Sequence, residues 1–531
     1  MKKLYYGGPI LTMDKCLPRV SAVLTENGRI SAVGDIHNLN TTNAQRIDLQ
    51  GRTLMPGFVD GHSHAISVGL NMNHSCELTG CTSFEEMLER IRAFRREKDL
   101  THGEPIRCRG YDPAILKEGC HPTAKVLDAL GFDNPIGCFH QSGHLAVYNS
   151  VAMRQAGVDS KTFVCPKDGY AGRDEKGELT GYFEESAKNV VGRLFSTDYD
   201  YAAIKEAAIT AQNYYIRHGF TTIQEGSANQ QDRIRHILRL AEENVLKVDL
   251  VTYLAATPRT EELWKECMDQ FQRGYRNRLK IGGVKLFLDG SPQARTAWLT
   301  KPYEGETEYR GYPMLRDEQV EQRLRLALKY GLQTLAHCNG DAASEQYLAA
   351  YEKLAGEGAN VAALRPVMVH AQTVRYDQLA RMSRIGMMPS FFVGHCYFWG
   401  DTHIKNLGDR GYRISPMKKA LEQGLVCSLH QDSPVTPPDM LHSVWCAVNR
   451  ISRDGVTVGQ ENKVDCYEAL IAATHGGAYT YFEEDTKGIL RRGAVADFVI
   501  LDRDPTAVDS MEIKDIHVLQ TIKEDQVIYT A

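Results

Sequence analysis

The sequence lacks the features that mark membrane proteins and nucleic-acid-binding proteins. Its 531 residues contain no block of basic residues and no uninterrupted apolar run of about 18 residues, the length that a membrane-spanning helix needs. The formal net charge is only −5, which gives no support for a polyanionic partner. We therefore expect a soluble protein that binds neither nucleic acid nor a membrane.

An ordered cysteine framework is also missing. The 13 cysteines include no CxxC pair and no regular spacing, which favours reduced thiols over disulfides. Near the N-terminus, Gly7, Gly8 and Pro9 interrupt the apolar residues, and no small-residue cleavage site follows. This pattern is not typical of an export signal. We expect a cytoplasmic protein.

The main pattern that is present is an alternation of short β-rich runs with helix-like segments. Amphipathic stretches such as Glu318–Gly331 separate most of these runs. Eight parallel strands with helices between them make a closed (β/α)8 TIM barrel, an α/β fold whose chemistry gathers at the carboxyl ends of the strands. The predicted strands are Leu54–Val59, Thr221–Gln224, Val248–Tyr253, Gly283–Phe287, Gln333–Ala336, Pro366–Val369, Met387–Phe392 and Leu425–Leu429.

Two further parts of the chain do not fit a barrel spanning residues 54–484. Residues 1–53 contain the hairpin signal Asn27-Gly28 between two alternating runs, and residues 485–531 alternate similarly. We expect these two segments to build one small composite β-sandwich domain. Residues 65–205 are too long for a strand-to-helix connection, so they are predicted to be a subdomain inserted after the first barrel strand.

Metal-ligand residue types stand at the ends of the predicted strands. In MPGFVDGHSH, His62 and His64 are two residues apart, so both point to the same side of the chain while Ser63 faces away. Asp60 is a candidate to orient one of these rings. A lone histidine is usually only a hydrogen-bonded polar group, but the combination predicts a metal site. Its other candidate members are Glu225, Lys285, His337, His370 and Asp432.

Lys285 is the most unusual of these residues. It lies between Val284 and Leu286 in a predicted strand, where a lysine is rarely buried without a partner. Three interpretations remain open. The amine forms a salt bridge with an acid of the barrel, it reaches out of the barrel mouth, or it has reacted with carbon dioxide to give a metal-binding carbamate.

The order of the motifs resembles that of the amidohydrolase superfamily, specifically the YtcJ-like amidohydrolase family 3 that includes N-substituted formamide deformylase. The resemblance covers nearly the whole chain and implies a metal-dependent hydrolase. It makes His62, His64 and Asp432 ligands of one metal, and it implies one or two divalent ions, with zinc expected. His337 and His370 would bind a second ion, Lys285 would bridge as a carbamate, and Glu225 leaves a one-metal arrangement open. The motifs are MPGFVDGHSH, HQSGHLAVYNS, GFTTIQEG, VKLFLDGSPQARTAWL, AHCNGDAA, VHAQ, GHCYFWGD, SLHQDSPV and KGILRRGAVADFVILDRDP.

The chemistry expected of such a site is hydrolysis of a C–N amide bond. A bound divalent ion lowers the pKa of water to about 7 and polarises a carbonyl group, and Asp432 is the predicted general base and then general acid. His144 is a second catalytic candidate, with a structural role as the alternative. Arg295 is predicted to bind a substrate carboxylate or, equally, a surface acid. Trp298 and His395 are the remaining substrate-binding candidates.

Several functions remain open from the sequence. We favour a small N-acyl or N-formyl substrate; cyclic amides and lactones are alternatives because the same activated water attacks them. Deaminases of the superfamily carry a glutamate three positions after the histidine of the fifth strand, and HCNGD lacks it. A non-catalytic scaffold is disfavoured because every ligand is present. The expected partner is a small-molecule substrate, and the sequence leaves open whether the protein forms a homodimer.

Overall fold

A computed structural model describes every residue except 114, 142, 144, 168, 197, 229–230, 258–261, 263, 265–266 and 268–273. The chain divides into two compact units, one formed by residues 1–66 with 208–531 and the other by residues 67–207. Within the described ranges, no helix is both long enough and apolar enough to cross a bilayer. The 13 cysteines are free thiols.

The first unit contains a sheet of parallel strands that are arranged in the order of the sequence. The backbone N–H of Gly61 donates to the carbonyl of Leu429 at 3.2 Å, so the last strand of the sheet lies beside the first. The predicted α/β class with a parallel sheet is confirmed, and each predicted run falls on a strand. The eight strands are Phe58–Val59, Phe220–Ala228, Asp249–Ala255, Leu279–Phe287, Gln333–Cys338, Val367–His370, Met388–Phe391 and Ser428–Leu429.

The first predicted strand, Leu54–Val59, is wrong in one respect, because it is two strands in two different sheets. Thr53–Pro56 pairs with strands from the chain termini, whereas Phe58–Val59 begins the parallel sheet. Gly57 is the joint between them, and its N–H donates to Asp497. A Cβ atom at Gly57 would collide with the side chain of Thr221. Glycine therefore allows the chain to pass directly from one sheet to the other.

The chain termini build a second sheet in the same unit. The predicted hairpin is present, with Asn27 and Gly28 at φ of 51° and 78°, the positive values that a tight hairpin turn requires. The described strands are hydrogen-bonded into one sheet, with no division into two separate sheets. We call it the terminal sheet, and its strands are Lys2–Leu11, Arg19–Glu26, Arg29–Gly34, Gln45–Asp48, Thr53–Pro56, Phe498–Leu501, Val518–Lys523 and Gln526–Thr530.

A buried ion network connects the terminal sheet to the parallel sheet. Asp249 begins a parallel strand, and its Oδ2 lies 2.7 Å from Nζ of Lys487 and 2.5 Å from Nζ of Lys523 in the terminal sheet. Lys523 also pairs with Asp497 at 2.7 Å. Burial alone would raise the pKa of Asp249, but the two ammonium groups outweigh it and hold the pKa well below its usual range. The two sheets therefore share charges that are costly to separate.

The second unit, residues 67–207, has a sheet and core of its own. These bounds differ by two residues at each end from the insertion predicted at residues 65–205. Cys76, Cys108 and Cys138 lie in register on three neighbouring parallel strands and belong to this core. The strands, in their order across the sheet, are Gly169–Arg173, Leu179–Glu184, Leu145–Tyr148, Ile136–His140, Ile106–Tyr111 and Cys76–Glu77.

Helices connect the strands of both units. The α-helices in the described part of the chain are Ala65–His74, Phe84–Glu97, Ala124–Asp128, Ser150–Gln155, Glu185–Gly192, Tyr201–Arg217, Gln231–Glu242, Asp317–Lys329, Asp341–Gly356, Tyr376–Ile385, His395–Leu407, Met417–Glu422, Met440–Asn449, Cys466–Ala473 and His475–Thr480.

Candidate metal centre

The predicted metal-ligand residues lie together at one edge of the parallel sheet. Because all strands of this sheet run in the same direction, the residues at their carboxyl ends meet at that edge. His62, Lys285 and His370 are deeply buried, whereas His64, His337 and Asp432 are partly buried. The structure brings together all six ligands predicted from the sequence, which are His62, His64, Lys285, His337, His370 and Asp432.

Asp432 is the centre of this cluster. Its Oδ1 lies 3.5 Å from Nε2 of His64 and 3.6 Å from Nε2 of His62, and its Oδ2 lies 3.8 Å from Nε2 of His370. Oδ1 is buried, yet it has no hydrogen-bond partner among the described residues. Two ligands that bind one zinc ion tetrahedrally at about 2.1 Å are about 3.4 Å apart. The spacing of these atoms therefore fits a shared divalent ion.

His62, His64 and Asp432 are the group best placed to bind a single ion. Their ligand atoms all lie within 4.8 Å of one another, and no other such group of three occurs among the described His, Cys, Asp and Glu residues. Burial, followed by the positive charge of Lys285, lowers the pKa of His62 well below its usual value. His62 is therefore neutral, as metal ligation requires. For His64, the carboxylates of Asp432 and Glu225 outweigh burial and raise the pKa.

Lys285 is completely buried beside this group. Its Nζ lies 3.0 Å from Nε2 of His62 and 5.5 Å from the centre of the Phe287 ring. Burial lowers the pKa of Lys285 to about 7, so a large fraction of the amine is neutral near neutral pH. The side chain does not reach out of the barrel mouth, which was one of the interpretations left open by the sequence. A neutral, nucleophilic amine beside a candidate metal ligand is the arrangement that carbamate formation requires.

His370 is held by a chain of hydrogen bonds that the sequence analysis missed. Its Nδ1 lies 3.1 Å from Nε2 of His430, and Nδ1 of His430 lies 2.9 Å from Oγ of Ser390. Burial lowers the pKa of His370 well below its usual value and that of His430 to about 3, so both rings are neutral. Donation from His370 to His430 leaves Nε2 of His370 facing Asp432 with its lone pair. The sequence contained one signal that could have identified His430, which is its position two residues before Asp432.

His337 has a different set of partners. Its ring centre is 4.6 Å from that of His370, and its Nδ1 lies 3.1 Å from Oδ1 of Asp289. Nδ2 of Asn339 lies 3.3 Å from Nε2 of His337. Asp289 also accepts the backbone N–H groups of Asn339 and Gly340. Asp289 therefore fixes both the His337 ring and the loop after its strand, a role that the sequence analysis did not assign.

The interpretation of Asp60 is wrong. Its carboxylate accepts the backbone N–H of His62 at 3.1 Å and the hydroxyl of Ser63, so it holds the backbone and no imidazole ring. The ring of His62 is oriented instead by Gln224, whose Oε1 lies 2.6 Å from Nδ1. Donation from Nδ1 directs the lone pair of Nε2 towards Asp432 and Lys285.

Glu225 lies next to His64 and is also buried. Its Oε1 is 4.0 Å from Nδ1 of His64, and its Oε2 accepts the backbone N–H of Ile66 at 2.8 Å. Burial raises the pKa of this carboxyl group. In this geometry Glu225 stabilises the chain that follows the histidine pair.

The predicted substrate-binding residues have different surroundings. His144 lies outside the described residues. Arg295 pairs with Glu306 at 2.9 Å, which is the alternative that the sequence left open. The backbone N–H of Trp298 donates to Asp289, while its side chain is half-buried. The ring of His395 lies 6.0 Å from that of His370, and its buried Nδ1 has no partner in the described structure.

Comparison with known proteins places the chain in a group of hydrolases. The sequence model of the amidohydrolase family matches residues 45–529. The chain is 26% identical to putative amidohydrolase YtcJ of Bacillus subtilis, over 100% of this chain and 99% of that protein. It is 24% identical to N-substituted formamide deformylase of Arthrobacter pascens, over 96% and 95% respectively. A solved metal-dependent hydrolase of Pyrococcus horikoshii is 26% identical with a TM-score of 0.77, over 96% of this chain and 99% of that structure.

Proposed function

This chain belongs to the amidohydrolase family, and on that premise we propose that it hydrolyses the C–N amide bond of a small N-acyl or N-formyl compound. The resemblance seen in the sequence is confirmed, and relatives and solved neighbours support a metal-dependent hydrolase. The observation that carries the proposal is the meeting of three imidazoles around the carboxylate of Asp432, one oxygen of which is buried without a hydrogen bond. The name of the deformylase relative supports an N-formyl substrate.

In this proposal His62, His64 and Asp432 bind one divalent ion, which we infer to be zinc because two imidazoles and a carboxylate are common zinc ligands. Such an ion supplies an activated water and polarises the scissile carbonyl group. His337 and His370 are the proposed ligands of a second ion.

Asp432 is the proposed proton carrier. The neighbouring His64 is the main influence that outweighs burial and lowers the pKa of Asp432, so the carboxylate is ionised at neutral pH. It accepts the proton of the attacking water and then donates a proton to the departing nitrogen. This transfer is needed because an amine leaves readily only after protonation. The neutral His430 and Ser390 keep His370 in position during these steps.

Lys285 is proposed to act as a carbamate. Its neutral amine nitrogen attacks the carbon of carbon dioxide and loses one proton, which gives a side chain with one negative charge and two oxygen ligands. Burial supports this step because it keeps the amine unprotonated. An anion at this position also balances the positive charge of bound metal, whereas a buried ammonium group would oppose metal binding. The carbamate would bridge the two ions.

Four residues are proposed to contact the substrate. His395 is the best supported, because its ring lies 6.0 Å from His370 and its Nδ1 is unpaired among the described residues. Trp298 is linked to His337 through Asp289. Arg295 and His144 are retained as candidates from the sequence. We further propose a cytoplasmic protein in which the barrel follows Gly57 and extends to residue 484, with the insertion at residues 65–205.

A substrate screen with the metal-loaded protein tests the proposed function. N-formyl and N-acyl amines, amino-acid amides, cyclic imides, lactones and purines are incubated with the wild type and with Asp432→Asn, and product is measured as free amine, acid or ammonia. We expect the wild type to release an amine from an N-acyl or N-formyl compound, and we expect Asp432→Asn to release none. Exclusive release of ammonia from a purine, or turnover of cyclic compounds alone, would replace amide hydrolysis by deamination or ring opening.

A further inference from the structure

A cleft separate from the metal centre lies among the loops at the same edge of the parallel sheet. Its cavity of about 340 Å³ is lined by parts of residues 299–301, 373–377 and 407–413, together with Asp341. These segments follow three different parallel strands. The volume is at the lower end of the range of about 300–1,000 Å³ that is usual for small-ligand sites. None of the six predicted metal ligands is among the residues that line it.

The two acidic side chains of the cleft already have hydrogen-bonding or ionic partners. Asp341 accepts the backbone N–H of Thr300 at 2.9 Å and also its hydroxyl, and Arg375 lies 3.4 Å away. Asp377 pairs with the same arginine at 3.0 Å. Glu345 adds a further carboxylate 3.1 Å from Arg375. These carboxylates are therefore engaged by Arg375 and Thr300 and do not neutralise the other cations of the cleft.

Three cations of the cleft have no carboxylate partner in the described structure. Arg410 donates only to backbone carbonyl groups, which are those of Leu407 at 3.2 Å, Lys301 at 3.1 Å and Pro302. Carbonyl groups fix its guanidinium group without cancelling its charge. Lys301 and Arg413 are exposed and form no ion pair in the described ranges. A concave surface with uncompensated positive charge concentrates small anions.

We propose that this cleft binds a small organic oxyanion, a carboxylate or a phosphate. Arg410 is held in place by its three carbonyl contacts, so part of the binding geometry exists before the ligand arrives. Lys301 and Arg413 contribute the remaining charge, and Arg side chains suit the paired oxygens of both ligand types. Leu299, Val374 and Leu407 provide apolar lining for a short carbon chain.

Calorimetric titration of the metal-loaded full chain with inorganic phosphate and with malonate, at constant ionic strength, tests this site. The cleft variant is Lys301→Gln combined with Arg413→Gln. The matched control, Lys15→Gln combined with Arg492→Gln, also removes one exposed lysine and one exposed arginine, but away from the cleft. Thermal unfolding of both variants verifies that they are folded. Because these four side chains are exposed, we expect both variants to keep the fold.

We expect saturable binding of at least one anion, weakened about tenfold or more in the cleft variant and less than about twofold in the control. Comparison of phosphate with malonate then identifies which oxyanion the cleft prefers. The proposal is overturned if neither anion binds saturably to the wild type. It is also overturned if both double variants bind the anion equally, because the anion is then bound elsewhere, for example at the metal centre. Neither result bears on amide hydrolysis.

Discussion

Nζ of Lys285 lies 3.0 Å from Nε2 of His62, although 223 positions of sequence separate the two residues. His62 follows the first strand of the parallel sheet and Lys285 is in the fourth. Their contact places a buried amine next to a candidate metal ligand. Since an ammonium group would repel a cation bound there, the state of this amine decides whether metal can bind.

Replacement of Lys285 by alanine should abolish most activity, with a loss in kcat of about a hundredfold or more, because the variant loses the proposed carbamate ligands. Bicarbonate or a small carboxylic acid should restore part of the rate by occupying the vacated space. Steady-state kinetics with and without the added acid measures this. Lys329→Ala, which removes an exposed lysine, is the control. A wild-type rate in Lys285→Ala would show that Lys285 has no role in the reaction.

Carbamate formation at Lys285 should depend on pH. Burial lowers the pKa to about 7, so the amine is mainly protonated and unreactive below this pH and mainly neutral above it. Incorporation of ¹³C-labelled bicarbonate into metal-free protein should therefore rise from about pH 6 to about pH 8, as measured by NMR. Lys285→Met supplies the background signal. A signal of equal size in that variant would show that the label is elsewhere.

The convergence of the candidate ligands could be predicted from the sequence because it depends on a simple rule. Parallel strands place their carboxyl ends at one edge, so residues far apart in the chain, such as His64 and Asp432, meet there without further information. The alternation of side chains along a strand then selects His62 and His64 over Ser63. The eight strands could also be predicted, because apolar runs bounded by turn residues are visible in the local sequence.

The partners of the ligands could not be predicted, because they depend on the packing of neighbouring strands. Gln224 and Asp60 are both polar and both close to the histidine pair in the sheet, and only the structure shows that Gln224 reaches the ring of His62. Asp289 follows one strand of the parallel sheet and contacts His337 in the neighbouring strand. The division of Leu54–Val59 between two sheets was missed because Pro56 and Gly57 lie within an otherwise continuous apolar run.

Loss of either histidine of the pair should reduce the metal content. His62→Ala and His64→Ala are each expected to lose about one ion per chain relative to the wild type, because an ion held by two remaining ligands dissociates readily. Atomic emission spectroscopy after dialysis measures this content.

Asp432→Asn should lower kcat by about 10²–10⁴-fold, since the amide cannot carry the proton. Asp409→Asn, a substitution at an exposed residue, should leave both the metal content and kcat unchanged.

His430 should be required for tight metal binding although it is not a predicted ligand. His430→Asn removes the partner of His370 Nδ1, and loss of such a partner typically weakens metal affinity about 10–100-fold. Competition with a chromophoric chelator gives the affinity. The exposed His37→Asn is the matched control. An unchanged affinity, in a variant that unfolds at the wild-type temperature, contradicts the positioning role.

Asp249→Asn should destabilise the protein by about 3–5 kcal/mol, because Lys487 and Lys523 would be left buried without their shared carboxylate. The folded pKa of Asp249 lies below its ordinary value of 3.8, so its contribution is complete above that pH and is lost as the pH falls below it. The difference between wild type and variant should therefore shrink on acidification towards about pH 3. Urea unfolding at several pH values measures this. A constant difference would argue against the network.

The chain on either side of Gly57 is constrained by two different sheets. Residues 53–56 are fixed by the terminal sheet, in which Leu54 and Met55 are fully enclosed, and residues 58–59 set the direction in which His62 and His64 emerge. A single inserted residue would turn one set of side chains to the wrong face. An insertion or deletion at this point would therefore displace either the terminal sheet or the histidine pair, whereas a change of length in a surface loop need displace neither.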